Sequence, residues 1–340
     1  MGVEAPGACP CHCFGINLIF ARGEIKVPVN LRGRHLLWLK DYKPEEIKYL
    51  LNLAISLKAK KRAGIKGNLL NGKNIALIFE KPSTRTRCAF TVACLDEGGH
   101  AEFLGKSDIQ LGHKEDVKDT ARVLGRMFDG IQFRGFKQSV VEELAMYAGV
   151  PVWNGLTDSY HPTQALADVM TMQECFGDVK GLKLVYVGDG RNNVANSLMI
   201  ISSKLGIHYV TAAPKELYPN ESLLEECRSE GAKHGALIEV MEDPYEAVKG
   251  AQAVYTDVWA SMGEEEKLAE RVKLLKPYQV NRSLMNLADK DAIFLHCLPA
   301  VKGNEVTEEV FESSQSKVFE EAENRLHTIK AVIVATIGNL

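Results

Sequence analysis

The sequence carries no excess of charge of either sign: 41 Lys and Arg stand against 44 Asp and Glu over 340 residues, a formal net charge of -3. The broad cationic surface that general nucleic-acid binding requires is therefore missing, and any anion site has to be local. Long apolar runs are missing too. The stretches at Asn74–Phe79 and Ala331–Ile337 fall far short of the ~20 residues of a spanning helix, so no membrane segment is expected. Cysteine is sparse for a disulfide-built protein. Of eight, five (Cys88, Cys94, Cys175, Cys227, Cys297) are scattered through segments of helix or strand character, as reduced thiols of a cytoplasmic enzyme would be. The other three crowd the N-terminus as Cys9-Pro10-Cys11-His12-Cys13. These could ligate a soft metal, but no second Cys/His pair at zinc-site spacing follows, and no metal is expected.

Targeting signals are also lacking. The first 30 residues hold no Ser or Thr, only Arg22 and Lys26 as cations, and both Glu4 and Glu24, unlike a transit peptide or a secretory signal. Pro6 stands where a myristoylation signal needs Ser or Thr. Residues 1–30 are read as an extension of unknown purpose.

What is present is the composition of a globular chain, 46% hydrophobic and 25% charged, of a length that predicts about two domains. An amphipathic helix with Pro44 in its first turn covers Glu45–Lys60. From Lys73 onward β-rich runs alternate with helical periodicity, the pattern of parallel sheets covered by helices on both faces. Strands are expected at Asn74–Phe79, Ala101–Leu104, Gly130–Phe133 and Val150–Trp153. Helices near Thr86–Glu97, Asp116–Phe128 and Ser139–Ala148 separate them. After Gly181 a second set begins: Leu182–Val187, Ile207–Ala212, Ala236–Met241, Ala253–Asp257 and Ala292–His296. A helix at His161–Cys175 bridges the sets, and a long one at Glu321–Ile337 closes the chain. The fold class is α/β: two doubly wound parallel-sheet domains bridged by helices. Ligands of such sheets lie beyond the carboxyl ends of the strands.

The strongest local signal is Phe79-Glu80-Lys81-Pro82-Ser83-Thr84-Arg85-Thr86-Arg87, where a buried strand turns into a helix. A helix start offers unpaired N–H groups and partial positive charge, and the hydroxyls and guanidiniums add donors: an oxyanion cradle. Capping by Ser83 or Thr84 explains one hydroxyl but not the whole alternation. Phe133-Arg134-Gly135 puts another guanidinium at a strand end, where a lone arginine is usually solvated. His161 and Gln164 lie one turn apart at the start of the bridging helix, though a capping role alone would explain the histidine.

Gly188-Asp189-Gly190-Arg191-Asn192-Asn193 invites a dinucleotide reading, but the third fingerprint glycine is missing and Ile207–Ala212 lacks a ribose-gripping acid. Recognition of a small substrate by Asn192 or Asn193 is more economical. Gly67-Asn68-Leu69-Leu70-Asn71-Gly72-Lys73-Asn74 fails as a phosphate loop because Asn74 replaces Ser or Thr and the motif precedes a strand. Asp257 with the small turn Ser261-Met262-Gly263 suits gripping an amine and closing over it. His296-Cys297-Leu298-Pro299 offers a thiol and free carbonyls, although a thiol is more often buried and structural. Arg325 is either a ligand donor or a salt-bridge partner of Glu321 one turn back.

Together Ser83-Thr84-Arg85-Thr86-Arg87, His161-Pro162-Thr163-Gln164, Asp257 with Ser261-Met262-Gly263, and His296-Cys297-Leu298-Pro299 resemble the ornithine carbamoyltransferases over about residues 30 to 340. The first two motifs are similar to carbamoyltransferases in general. The Asp257 segment is similar to the ornithine branch, and neither the aspartate nor the putrescine enzymes would be expected to match it.

The resemblance implies transfer of the carbamoyl group of carbamoyl phosphate to the δ-amine of L-ornithine, without metal or organic cofactor, in arginine biosynthesis or in arginine and citrulline breakdown. A carbamoyltransferase for another amine such as putrescine is the alternative. It further implies that Ser83, Thr84, Arg85 and Thr86 hold the phosphate and that Thr86, Arg134 and His161 surround the carbonyl oxygen. Gln164, the Cys297 and Leu298 carbonyls and Arg325 would fix the carbamoyl end. Asn193, Asp257, Ser261 and Met262 would bind ornithine, with Asp257 and Cys297 nearest the amine. It implies a homotrimer, or a multiple of trimers, in which Gln110 reaches the phosphate of the neighbouring chain. The division implied is a carbamoyl phosphate domain at 31–165, an ornithine domain at 166–320, and a C-terminal helix at 321–340 returning to the first domain.

Overall fold

A computed structural model describes residues 29–109, 111, 115–260 and 268–340. The extension before residue 29, Gln110, Ser261 and Met262 lie outside the described residues. The chain enters through α1 (Pro44–Arg62), with Pro44 in the first turn and Glu46 accepting the Lys43 N–H at 2.8 Å. Acids lead this helix and Lys60, Lys61 and Arg62 end it, complementing its dipole.

Then β1 (Asn74–Phe79), α2 (Thr84–Asp96), β2 (His100–Gly105), α3 (Val117–Leu124), β3 (Gly130–Arg134), α4 (Gln138–Ala148) and β4 (Val152–Leu156) build an all-parallel sheet in the order β2-β1-β3-β4. The helix α5 (Pro162–Phe176) leads into a second unit. It comprises β5 (Lys183–Val187), α6 (Asn193–Leu205), β6 (His208–Ala212), α7 (Glu221–His234), β7 (Ile238–Met241), α8 (Pro244–Ala247), β8 (Ala253–Tyr255), α9 (Leu268–Leu275), α10 (Arg282–Met285), β9 (Ile293–Leu295) and α11 (Glu308–Phe311). Its parallel sheet runs β7-β6-β5-β8-β9. Strand order reverses beside β1 in one sheet and beside β5 in the other, the switch points at which ligands of open α/β sheets collect.

All nine expected strands are present, with ends shifted by a few residues. Burial on both faces is why they read as continuous apolar runs: Ile75 to Phe79 are all buried. The helix expected to reach Phe128 stops at Leu124. A Cβ on Gly125 would fall on the Ala148 carbonyl, so the α3 end is pressed against the α4 end and the chain turns away.

The bridging helix α5 is buried along most of its length and packs on α12 (Val318–Ile337), α1 and α6. The terminal helix α12 begins three residues earlier than Glu321 and lies on α1, α2 and α5, so it does return to the first unit. One hydrophobic cluster runs through both units, from Leu36 and Phe90 through Leu166 and Ile333 to Tyr209. Among the described residues no helix is long and apolar enough to cross a membrane.

Candidate active site

The carboxyl ends of five strands supply the side chains. Ser83 to Thr86 follow β1, Arg134 is the last residue of β3, and His161 precedes α5 after β4. In the second unit Asp257 follows β8, and His296 to Leu298 follow β9. The strands expected to include Asp257 and His296 end at Tyr255 and Leu295, leaving both residues in the loops where ligands are met.

Ser83 is the N-cap of α2 and accepts the Thr86 N–H at 3.2 Å, so the cap and the cradle coexist. Thr86, in the first turn, is the focus of a cationic cluster. Its Oγ1 accepts from Arg134 Nη1 at 3.2 Å and from Arg325 Nη2 at 3.1 Å, which leaves its own proton free to donate elsewhere. Arg134 is 8% and Arg325 2% exposed, and the Nε of each is buried without a partner. Arg85 reaches across to the second unit and donates to the Leu298 carbonyl at 2.7 Å.

Burial pushes Arg134 down to about 10, helped by the cations of Arg325 and Arg85. Burial likewise brings Arg325 to about 10, so both stay charged at neutral pH. The Arg325 charge works against that of Arg134, a repulsion between two guanidiniums that bond the same Thr86 hydroxyl. An anion seated among them replaces that repulsion with attraction and occupies the unspent donors.

His161 is buried, and burial followed by the charges of Arg325, Arg134 and Arg85 holds its imidazole well below the usual range. It is neutral at physiological pH. It therefore offers one donor and one acceptor nitrogen rather than acting as an acid. Its side chain makes no cap bond; its backbone N–H donates to Ser197 Oγ at 2.8 Å, and Thr163 Oγ1 lies 3.4 Å from Nδ1.

Gln164 lies in the same turn and has three protein partners. Its Nε2 donates to Asp168 Oδ1 at 2.8 Å and to Glu321 Oε1 at 2.6 Å, while its Oε1 accepts from Arg325 Nη1 at 2.6 Å. Arg325 thus faces Gln164 and Thr86. Glu321 accepts instead from Gln164, the Tyr255 hydroxyl at 3.2 Å and the His296 N–H at 3.0 Å.

Across the cleft, Asp257 Oδ1 accepts from Cys297 Sγ at 3.1 Å and from the Val258 N–H at 2.8 Å, and Oδ2 accepts from Asn192 Nδ2 at 3.0 Å. Burial and the adjacent carboxylate drive the Cys297 thiol well above its ordinary range, so it keeps its proton and is no nucleophile. Asn192 caps α6 and touches Asp257, whereas Asn193 Nδ2 donates to the Thr157 carbonyl at 2.6 Å. Leu298 takes φ 57°, rare outside glycine and typical of chain held for a purpose. Donor atoms of Asp257, His296 and Cys297 lie within 4.8 Å of one another, a set able to take a soft cation only if the thiol gives up its proton.

Sequence reasoning missed Asp168, Glu321 as a contact of Gln164, and Asn192 as a contact of Asp257. A signal existed for the first. Asp168 lies four residues after Gln164 on a helix whose neighbours are apolar, and a carboxyl in such a run needs an internal partner.

Family models match nearly the whole described chain. The carbamoyl-P binding domain of aspartate/ornithine carbamoyltransferase matches residues 34–174, and the Asp/Orn binding domain matches residues 180–336. An ornithine carbamoyltransferase of Caldanaerobacter subterraneus is 62% identical over 91% of this chain and 99% of its own length. A catabolic ornithine carbamoyltransferase of Bacillus licheniformis is 57% identical over 92% and 98%. The solved ornithine carbamoyltransferase from Pyrococcus furiosus superposes with a TM-score of 0.89 at 49% identity, covering 92% of this chain and all of that one. The chain belongs to the aspartate/ornithine carbamoyltransferase family, and within it to the ornithine carbamoyltransferases.

Proposed function

We propose that this protein transfers the carbamoyl group of carbamoyl phosphate to the δ-amine of L-ornithine, releasing L-citrulline and phosphate. The observation that carries the reading is the buried pair Arg134 and Arg325 on Thr86, with half-buried Arg85 beside them on the Leu298 carbonyl, facing the Asp257–Cys297 pair on the other unit. One side of the cleft suits a phosphorylated carbonyl compound and the other an ammonium.

In this reading Ser83, Thr84, Arg85 and Thr86 take the phosphate, with Gln110 reaching in from a neighbouring chain of a homotrimer. Thr86, Arg134 and neutral His161 donate to the carbonyl oxygen as attack turns it into an oxyanion. Gln164, Arg325 and the Cys297 and Leu298 carbonyls hold the carbamoyl end. The Leu298 carbonyl, now accepting from Arg85, exchanges that partner for substrate. Asn193, Asp257, Ser261 and Met262 bind ornithine.

The nucleophile must be a neutral amine. With a lysine-like pKa of ~10.4, about one molecule in a thousand is competent near pH 7.4, a cost of ~4 kcal/mol that the site has to offset. Asp257, tied to a protonated thiol, orients the amine, and the departing phosphate is the available proton acceptor. Bond making and breaking balance without an oxidant, metal or organic cofactor. The reading places the protein in the cytoplasm, with a carbamoyl phosphate domain at 31–165, an ornithine domain at 166–320 and the terminal helix completing the first.

Supplying carbamoyl phosphate with ornithine, putrescine or aspartate in parallel tests this. Ornithine is expected to be carbamoylated at least ~100-fold faster than either rival; preference for putrescine or aspartate overturns it.

A further inference from the structure

Gln164 has one amide group and three protein partners, and their arrangement decides which end of that amide is left for a ligand. Both Nε2 hydrogens are committed, one to Asp168 at 2.8 Å and one to Glu321 at 2.6 Å. The oxygen accepts one bond, from Arg325 at 2.6 Å, and a carbonyl oxygen has two acceptor positions. A flipped amide would aim its oxygen at the Glu321 carboxylate and its nitrogen at the Arg325 guanidinium, losing both of those bonds.

The carboxyl of Glu321 is itself held from three directions. It is 0% exposed and receives the Tyr255 hydroxyl from β8, the His296 N–H from the chain after β9 and Gln164 from α5, while its own helix carries Arg325 one turn on. It thereby joins the elements that bear Asp257, Cys297, Gln164 and Arg325.

We propose that Glu321, with Asp168, is a positioning residue that fixes the Gln164 amide oxygen toward the ligand, so that the site recognises a carbonyl group bearing N–H rather than a methyl group. The inference rests on Gln164 touching the carbamoyl end and adds what sets its orientation. Burial and the Glu321 carboxyl beside it raise Asp168 well above the carboxylate range. A proton there lets two buried carboxyls sit side by side without two full negative charges. The unpartnered Asp168 Oδ2 is the atom placed to carry it.

Two stable phosphonates separate the ends of the amide. Phosphonoacetamide keeps the carbamoyl NH2; 2-oxopropylphosphonate has CH3 in its place. Calorimetric titration of the full-length wild type is expected to favour the amide by at least about tenfold, since the methyl group leaves a buried acceptor unpaired. In Glu321→Gln the new side chain can present N–H where an oxygen stood, freeing Gln164 to flip. The preference is expected to fall to about twofold or less, while affinity for inorganic phosphate stays within about twofold.

A retained tenfold preference in folded Glu321→Gln overturns the proposal, and so does a parallel loss of all three ligands, which marks a merely structural role. Should that variant not fold, Tyr255→Phe, which removes only one hydroxyl on Glu321, decides: a threefold or larger fall in preference supports positioning, and an unchanged preference overturns it. A wild type without preference overturns the premise that Gln164 reads the carbamoyl end. Citrulline formation, measured separately, then shows whether the transfer reaction itself stands.

Discussion

At the scale of single residues, the site is defined by cations that the protein leaves partly unpaired. Arg134 donates to one hydroxyl, keeps a buried Nε unpartnered, and lies in the field of two other guanidiniums. Such an arrangement costs stability in the empty protein and is repaid when negative charge develops. Removing one oxyanion donor typically costs about 100- to 1,000-fold in rate. Arg134→Ala is therefore expected to lower kcat by at least about 100-fold, with little loss of resistance to urea because it also relieves repulsion. Steady-state kinetics beside a denaturation curve checks both halves, and near-normal turnover contradicts the oxyanion role.

Much of this was legible in the sequence. Ser83 to Arg87 advertised an anion site by residue type and position, and Asp257 and Cys297 lay where strand ends were expected. The engagement of Gln164 was not legible, because which of an amide's atoms is spent depends on residues over 150 positions away in the chain.

At the scale of elements, α12 shows why a terminal helix can be buried and still be polar. Lys330 pairs with Asp96 at 2.7 Å, and Asn324 accepts from Lys58, which also pairs with Glu174 at 2.7 Å. The apolar run Ala331–Ile337 announced a buried helix, but its 3.6-residue period did not disclose that its polar positions face α1, α2 and α5 rather than water. Gly125 is a parallel case: α3 was expected to run to Phe128, and only the close approach of α4 explains its earlier end.

His327 on α12 carries the pH consequence. Burial outweighs the Glu323 carboxylate 3.3 Å away and pushes the imidazole down to about 4, against ~6.5 when unfolded. His161 shifts in the same direction. Between about pH 6.5 and 4 these two histidines bind more protons in the unfolded chain than in the folded one, so their contribution to stability rises with pH through this window, against the opposite effect of the raised Asp168 and Glu321 carboxyls. The contribution is complete above about pH 6.5 and is lost as pH falls toward 4. We expect the unfolding free energy from urea curves to drop between pH 7 and pH 5, and His327→Asn to reduce that drop by roughly 1–2 kcal/mol. An equal drop in wild type and variant contradicts this account.

At the scale of the whole molecule, two sheets of different strand order place their switch points toward one cleft, which α5 and α12 close from behind. Direct ties between the units include Arg85 to the Leu298 carbonyl, Lys40 to Glu226 at 2.7 Å, the His161 N–H to Ser197, Asn193 and Asn196 to the Thr157 and Ser159 carbonyls, and the Glu321 carboxyl between α12 and the second sheet. The Lys40–Glu226 pair is partly exposed and contributes little, and a ligand that touches both units would add to the ties at the strand ends. A substrate pair with a phosphate at one end and an ammonium at the other is suited to that task.

The most direct test follows the carbon atom that the account says is transferred. Incubating the wild-type protein with 13C-carbamoyl phosphate and L-ornithine and recording 13C NMR spectra is expected to show the ureido carbon of citrulline growing as one phosphate is released per molecule formed. Release of phosphate with the label appearing in bicarbonate or cyanate, and none in a ureido product, would contradict the assignment.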